Sequence, residues 1–94
     1  MPEFLVEAYV SRNAATTSTR HVEEVSLAAE QLTREGRHVR LRQSIFVPED
    51  ETGFYLFHAQ SEEAVRDAAR RGGLQFERVV EVVVSDWTRK ADSQ

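Results

Sequence analysis

The sequence predicts one α+β domain, a four-stranded antiparallel sheet with two helices on one face. Three observations carry that prediction. Four stretches are β-branched or alternate with a period of two, and two others repeat apolar residues three and four apart between capping signals. Their order is strand, helix, strand, strand, helix, strand, which is the split βαβ pattern of the ferredoxin-like fold. Right-handed crossovers then set strands one and three side by side in the middle of the sheet, where we expect them to run parallel. The domain is expected to span residues 1–85, and 86–94 form a polar tail anchored at most by Trp87.

In the first strand, Phe4, Val6, Ala8 and Val10 alternate with Leu5, Glu7 and Tyr9, the signature of a strand with one face on a core. After a small, polar loop, Ser18 or Thr19 is expected to cap the first helix, with Glu23 and Glu24 near its positive end. Val22, Val25, Ala29 and Leu32 lay an apolar stripe along some four turns, and Gly36 ends the helix behind Arg34. The second strand follows with Val39, Leu41, Ile45 and Val47 on one side. Pro48 to Gly53 reads as a hairpin turn into Phe54–Ala59. Ser61 is the N-cap of the second helix, Glu62 and Glu63 fill its first turn, and Arg70 and Arg71 fill its last before Gly72 and Gly73. Its stripe of Val65, Ala68 and Ala69 is narrow, so it should lie close to the sheet. Phe76 to Val84 is the densest β-branched run, needs cover on at least one face, and is taken as the organising strand.

Composition excludes several functions. A formal charge of −4 argues against gripping nucleic acid by bulk electrostatics, and the absence of cysteine removes disulfides, thiolate metal sites and thiol nucleophiles. Gly53-Phe54-Tyr55-Leu56-Phe57 resembles the aromatic strand of RNA-recognition domains but has no leading Lys or Arg. With no apolar run long enough to cross a bilayer and no leader pattern, the expected location is the cytoplasm, without membrane contact. No glycine-rich phosphate loop or nucleophile-elbow pattern occurs, and His21, His38 and His58 show no metal-ligand spacing.

A two-layer fold leaves one sheet face free of helices, and function or self-association is expected there. Parity puts Phe4, Val6, Ala8, Val39, Leu41, Ile45, Tyr55, Phe57, Val80 and Val82 toward the helices. It puts Glu7, Tyr9, Arg40, Arg42, Phe46, Leu56, His58, Val79, Glu81 and Val83 on the open face. Such a face is too apolar to remain in water, so a second copy should cover it; two sheets facing one another would form a dimeric α/β barrel. Glu7 beside His58 suits a ligand clamp, an acid–base pair or a metal site, and equally an interface salt bridge. The leading expectation is a homodimeric ligand- or metal-binding module, with Glu7, Tyr9, Arg40, His58 and Glu81 as ligand-binding residues. The alternative is a cofactor-free barrel enzyme in which His58 is acid or base toward a small organic substrate held by Tyr9, Phe46 and Leu56.

Three segments also carry a family likeness: Met1-Pro2-Glu3-Phe4-Leu5-Val6-Glu7, Ser61-Glu62-Glu63-Ala64-Val65-Arg66, and Gly73 through Val82. They resemble a small ferredoxin-like family, a domain of unknown function that includes nickel-binding proteins, over nearly the whole chain. The resemblance implies a dimer and, in some relatives, nickel held through histidine-containing sites. Here the second helix ends Asp67-Ala68-Ala69-Arg70-Arg71-Gly72 without a histidine, and arginine has no lone pair to give. His58, Glu7 and His21 are the candidate metal ligands that remain.

Overall fold

The computed structural model describes residues 1–13 and 15–85, apart from the side chains of 15–19; the expected tail and Trp87 lie outside the described residues. The elements are β1 (Glu3–Tyr9), α1 (Ala15–Arg34), β2 (Val39–Val47), a 3-10 turn (Pro48–Asp50), β3 (Thr52–Ala59), α2 (Glu62–Arg71) and β4 (Phe76–Val82). The sheet order is β2-β3-β1-β4, and every neighbouring pair is antiparallel. The predicted ferredoxin-like fold is therefore present, with one correction: β1 and β3 run antiparallel. The crossover through α1 makes β2 parallel to β1, and the hairpin that follows reverses the chain, so β3 must oppose β1.

The core lies between the sheet and both helices. Phe4, Val6, Ala8, Val39, Tyr55, Phe57 and Ala59 from the strands meet Val25, Ala29 and Leu32 of α1 and Ala64, Val65, Ala68 and Ala69 of α2. The small residues of α2 let the helices approach so closely that Gly72 has Val25 directly against it. Ser61 caps α2, accepting from the Ala64 amide at 3.2 Å. Gly36 adopts φ +94° after α1, the left-handed stop expected of it. The start of α1 differs from expectation: the helix begins at Ala15, so Ser18 and Thr19 fall inside it and Glu23 and Glu24 lie beyond its first turn.

The hairpin also distributes its roles differently. The left-handed residue of the turn is Glu51 (φ 49°), whereas Gly53 is already in β3, where a Cβ would stand 3.0 Å from Val10 and 3.1 Å from the Tyr55 ring. That glycine makes room for the buried tyrosine. The organising role expected of residues 76–84 passes to β1 and β3: β4 is an edge strand that ends at Val82, and Val79 is its one buried residue.

Two irregularities change which side chains face which way. In β2 the register slips between Leu41 and Gln43, so Arg42 is an extra residue, and in the β1–β4 ladder it slips between Glu7 and Ala8. Beyond the first slip, Ile45 pairs with Phe54 on the open face and is 53% exposed, while Phe46 pairs with Gly53 on the helix side. Both assignments reverse the expectation. In β4, Val79 pairs with Val6 and is buried, whereas Val80 and Val82 pair with Leu5 and Glu3 on the open face. Glu81 pairs with Phe4 and so belongs to the helix side, at its exposed rim. Val83 lies past the strand end, 94% exposed.

Candidate functional site

Cross-strand partners share a face, so the register gives the open face directly. Leu5 is flanked by Leu56 and Val80, and the next row along runs Ile45, Phe54, Glu7, Arg78, apolar on the β2 side and charged on the β4 side. Tyr9, 49% exposed, closes the far end opposite Thr52. At the near end, β1 starts at Glu3, β3 is finishing at His58 and β2 is beginning at Arg40, so three ionisable side chains converge where three strand ends meet.

Glu3 is the centre of that cluster. Its Oε2 accepts from Arg42 Nη1 at 3.0 Å, and His58 Nδ1 stands 3.5 Å from the same oxygen. Glu3 Oε1 and His58 Nδ1 are both buried without a hydrogen-bond partner among the described residues. The extra residue in β2 is the one that reaches Glu3, because the bulge re-aims Arg42 across the end of β3.

Of the residues expected to act together, Arg40 and His58 are direct cross-strand partners. Glu7 is not beside His58; it pairs with Phe54 and Arg78, with Arg78 Nε 4.0 Å from its Oε1. Four residues of strand separate Glu7 from Glu3, about 13 Å. The carboxylate next to the histidine is therefore Glu3. It has the same parity as Glu7, and an antiparallel β1–β3 register would have pointed to it. Glu81 is on the other face, and His21 belongs to α1 in the helix layer. The candidate metal ligands thus do not form one site, and among the described residues no three or more His, Cys, Asp or Glu side chains are grouped closely enough to hold a metal ion. Glu3 and His58 offer two donors, with a guanidinium already on the carboxylate, which does not fit a nickel centre within one chain.

The titrations displaced from their ordinary values lie elsewhere. A hydrogen-bonded Arg71 holds Glu35 below the usual carboxylate range, and Arg37 does the same for Asp67; burial raises Tyr55. The first two tie α2 to the end of α1, and the third marks the core.

A concavity of about 600 Å³ opens between α1 and the β2 edge. Ala29, Val39 and Leu41 form apolar lining, and Arg34, His38, Arg40 and His58 also contribute. No helix among the described residues is long and apolar enough to cross a membrane.

No curated protein matches the chain. Among solved structures, the crystal structure of SCO4226 from Streptomyces coelicolor A3(2) matches with a TM-score of 0.73 at 21% identity, covering 89% of this chain and 99% of that one, a likeness that shows the fold. The expected family is found as well: residues 4–82 match the model described as nickel responsive protein SCO4226-like, and the chain belongs to that family.

Proposed function

We propose that the protein is a homodimeric binding module whose open sheet face is the subunit interface, with Glu3, Arg40, Arg42 and His58 holding a small ligand at its border. One observation carries this reading: Leu5, Ile45, Phe54, Leu56 and Val80 are contiguous on the helix-free face, with Glu3, Arg40, Arg42 and His58 at one end and the Glu7–Arg78 pair beside Phe54. A domain of this size gains by covering such a face with a second copy. Membership of a nickel-responsive family supports a metal-linked role, but the donors within one chain do not supply the site, so nickel enters here as a probe. The acid–base reading of His58 would need a substrate pocket closed around it, whereas the cleft that reaches it is open along one side.

The test is the light-scattering mass of the wild type and of Ile45→Glu, beside melts with nickel and with small anions. Ile45 is exposed in one chain, so the variant should fold, but in a face-to-face dimer it would bury an unpaired carboxylate from each copy at about 3 kcal/mol apiece. The wild type is expected as a dimer and the variant as a folded monomer whose melt lies below the dimer's and does not depend on protein concentration. A wild-type monomer, or a variant that stays dimeric, overturns the interface. Phe46→Glu is the wrong probe, since Phe46 faces the helices.

A further inference from the structure

The geometry points to the cleft between α1 and the β2 edge as a binding site for a small amphipathic monocarboxylate, an acid with an apolar body. The cleft meets the border of the open face at Arg40 and His58, so this inference deepens the proposed function by naming the ligand held there, and its volume of about 600 Å³ falls within the ordinary range of small-molecule sites. Its lining is divided by chemistry. Ala29, Val39 and Leu41 provide an apolar floor, with Met1 beside them.

The polar part is predominantly cationic. Arg34 and Arg40 stand against one carboxylate, Glu30, with His38 and His58 adding imidazoles. This inverts the sign of the whole chain, whose formal charge is −4. Glu30 neutralises little, because its contact with Arg34 is 3.7 Å long and both side chains are more than half exposed. Arg40 has no hydrogen bond or ion pair from its side chain among the described residues. An arginine free at the mouth of an apolar cleft is a carboxylate receptor, since its planar fork can bind both oxygens.

The backbone groups along the floor are committed, which narrows the ligand. Thr33 Oγ1 donates to the Val39 carbonyl at 2.9 Å and accepts from the Val39 amide at 3.2 Å, closing the strand edge there. The His38 backbone is likewise joined to Gln60 through both its amide and its carbonyl. A sugar or a peptide strand would find few free hydrogen-bonding groups on the floor; an apolar body with one charged end matches what is offered.

Octanoate is the probe, with octanol supplying the same body without charge and acetate the charge without the body. In amide NMR of the full chain, octanoate should saturably shift Ala29, Thr33, Val39 and Leu41, acetate should leave them in place, and octanol should bind more weakly. Arg40→Gln should raise the octanoate Kd about tenfold, the effect of losing one charge-assisted bond. The Ile45→Glu chain should bind octanoate as the wild type does, which separates this site from the subunit interface. Absent shifts at these amides, equal binding of octanol, or an unaltered Kd in Arg40→Gln would each overturn the inference.

Discussion

Replacing Gly72 by alanine should expose how tightly the two helices are set against each other. Gly72 ends α2 at φ −80° and ψ −1°, which any L-residue adopts, so backbone strain plays no part. The added Cβ would overlap Val25 Cγ2 and would stand 2.7 Å from Val25 Cα and 3.0 Å from Val25 N. Turning the valine side chain relieves the first contact and leaves the other two. To reach the 3.4 Å of an ordinary contact, the backbones must part by about 0.7 Å, in a core where Val25 is fully buried. Overpacking costs about 1–3 kcal/mol, and a clash with backbone belongs at the upper end. Stiffening the unfolded chain returns up to about 1 kcal/mol, leaving a net loss near 2 kcal/mol and a Tm lower by about 10 °C. Urea unfolding followed by far-UV circular dichroism reads the difference. Gly73→Ala is the companion, because its φ of +83° is strained while no atom lies within 4 Å of the new methyl. It should cost about 1 kcal/mol by backbone strain alone. The decisive comparison repeats Gly72→Ala in a Val25→Ala background. If the backbone contact governs, the penalty persists there; if it vanishes, or if Gly72→Ala alone changes stability by less than about 0.5 kcal/mol, the reasoning fails.

Two pH dependences follow from the displaced titrations. Burial raises Tyr55, so the native state keeps its proton while the unfolded chain loses it; the associated stability is whole below the unfolded value and drains away as pH rises through the folded one. Tyr55→Phe should therefore lose less stability than the wild type between about pH 8 and about pH 11, measured as urea midpoints, and parallel curves would contradict this. Asp67 is the opposite case: Arg37 at 2.7 Å and Arg70 at 2.8 Å lower it, so its contribution is present above the ordinary carboxylate value and disappears as pH falls through the folded one. Asp67→Asn should be less stable than the wild type at neutral pH, by under about 1 kcal/mol at so exposed a position, and should converge with it in acid.

The sequence makes the element order, both helix stripes and the caps of α2 legible because each rests on signals a few residues apart. Ser61, the acidic first turn, the basic last turn and the glycines that follow all agree, and α2 folds as they require. The α1 start is misread because the helix runs on into a stretch, Ala15 to Thr19, whose small β-branched and hydroxyl residues read as a loop. The face of β4 is misread for a different reason. In Val79-Val80-Glu81-Val82-Val83-Val84 either parity presents valines, so alternation carries no phase, and the register with β1 decides it.

The same logic explains why the site was only half visible. Parity puts Arg40 and His58 on one face, as the structure does, because Arg40 precedes the irregularity in β2 and His58 is its partner in β3, which is regular. One extra residue at Arg42 then exchanges the two faces for the remainder of that strand, turning Ile45 outward and Phe46 inward. A bulge leaves no local pattern in Val39-Arg40-Leu41-Arg42-Gln43-Ser44-Ile45, which reads equally well without it. Yet that residue is what carries a guanidinium to Glu3 and fixes the carboxylate beside His58. The feature that defeats the periodicity argument is thus the one that assembles the cluster. Deleting Gln43 should remove the bulge, setting Arg42 opposite Leu56 while Ile45 stays opposite Phe54 and Phe46 opposite Gly53, and cross-strand amide NOEs that show either residue on the other face would refute this; Arg42→Gln should free Glu3 with the bulge kept.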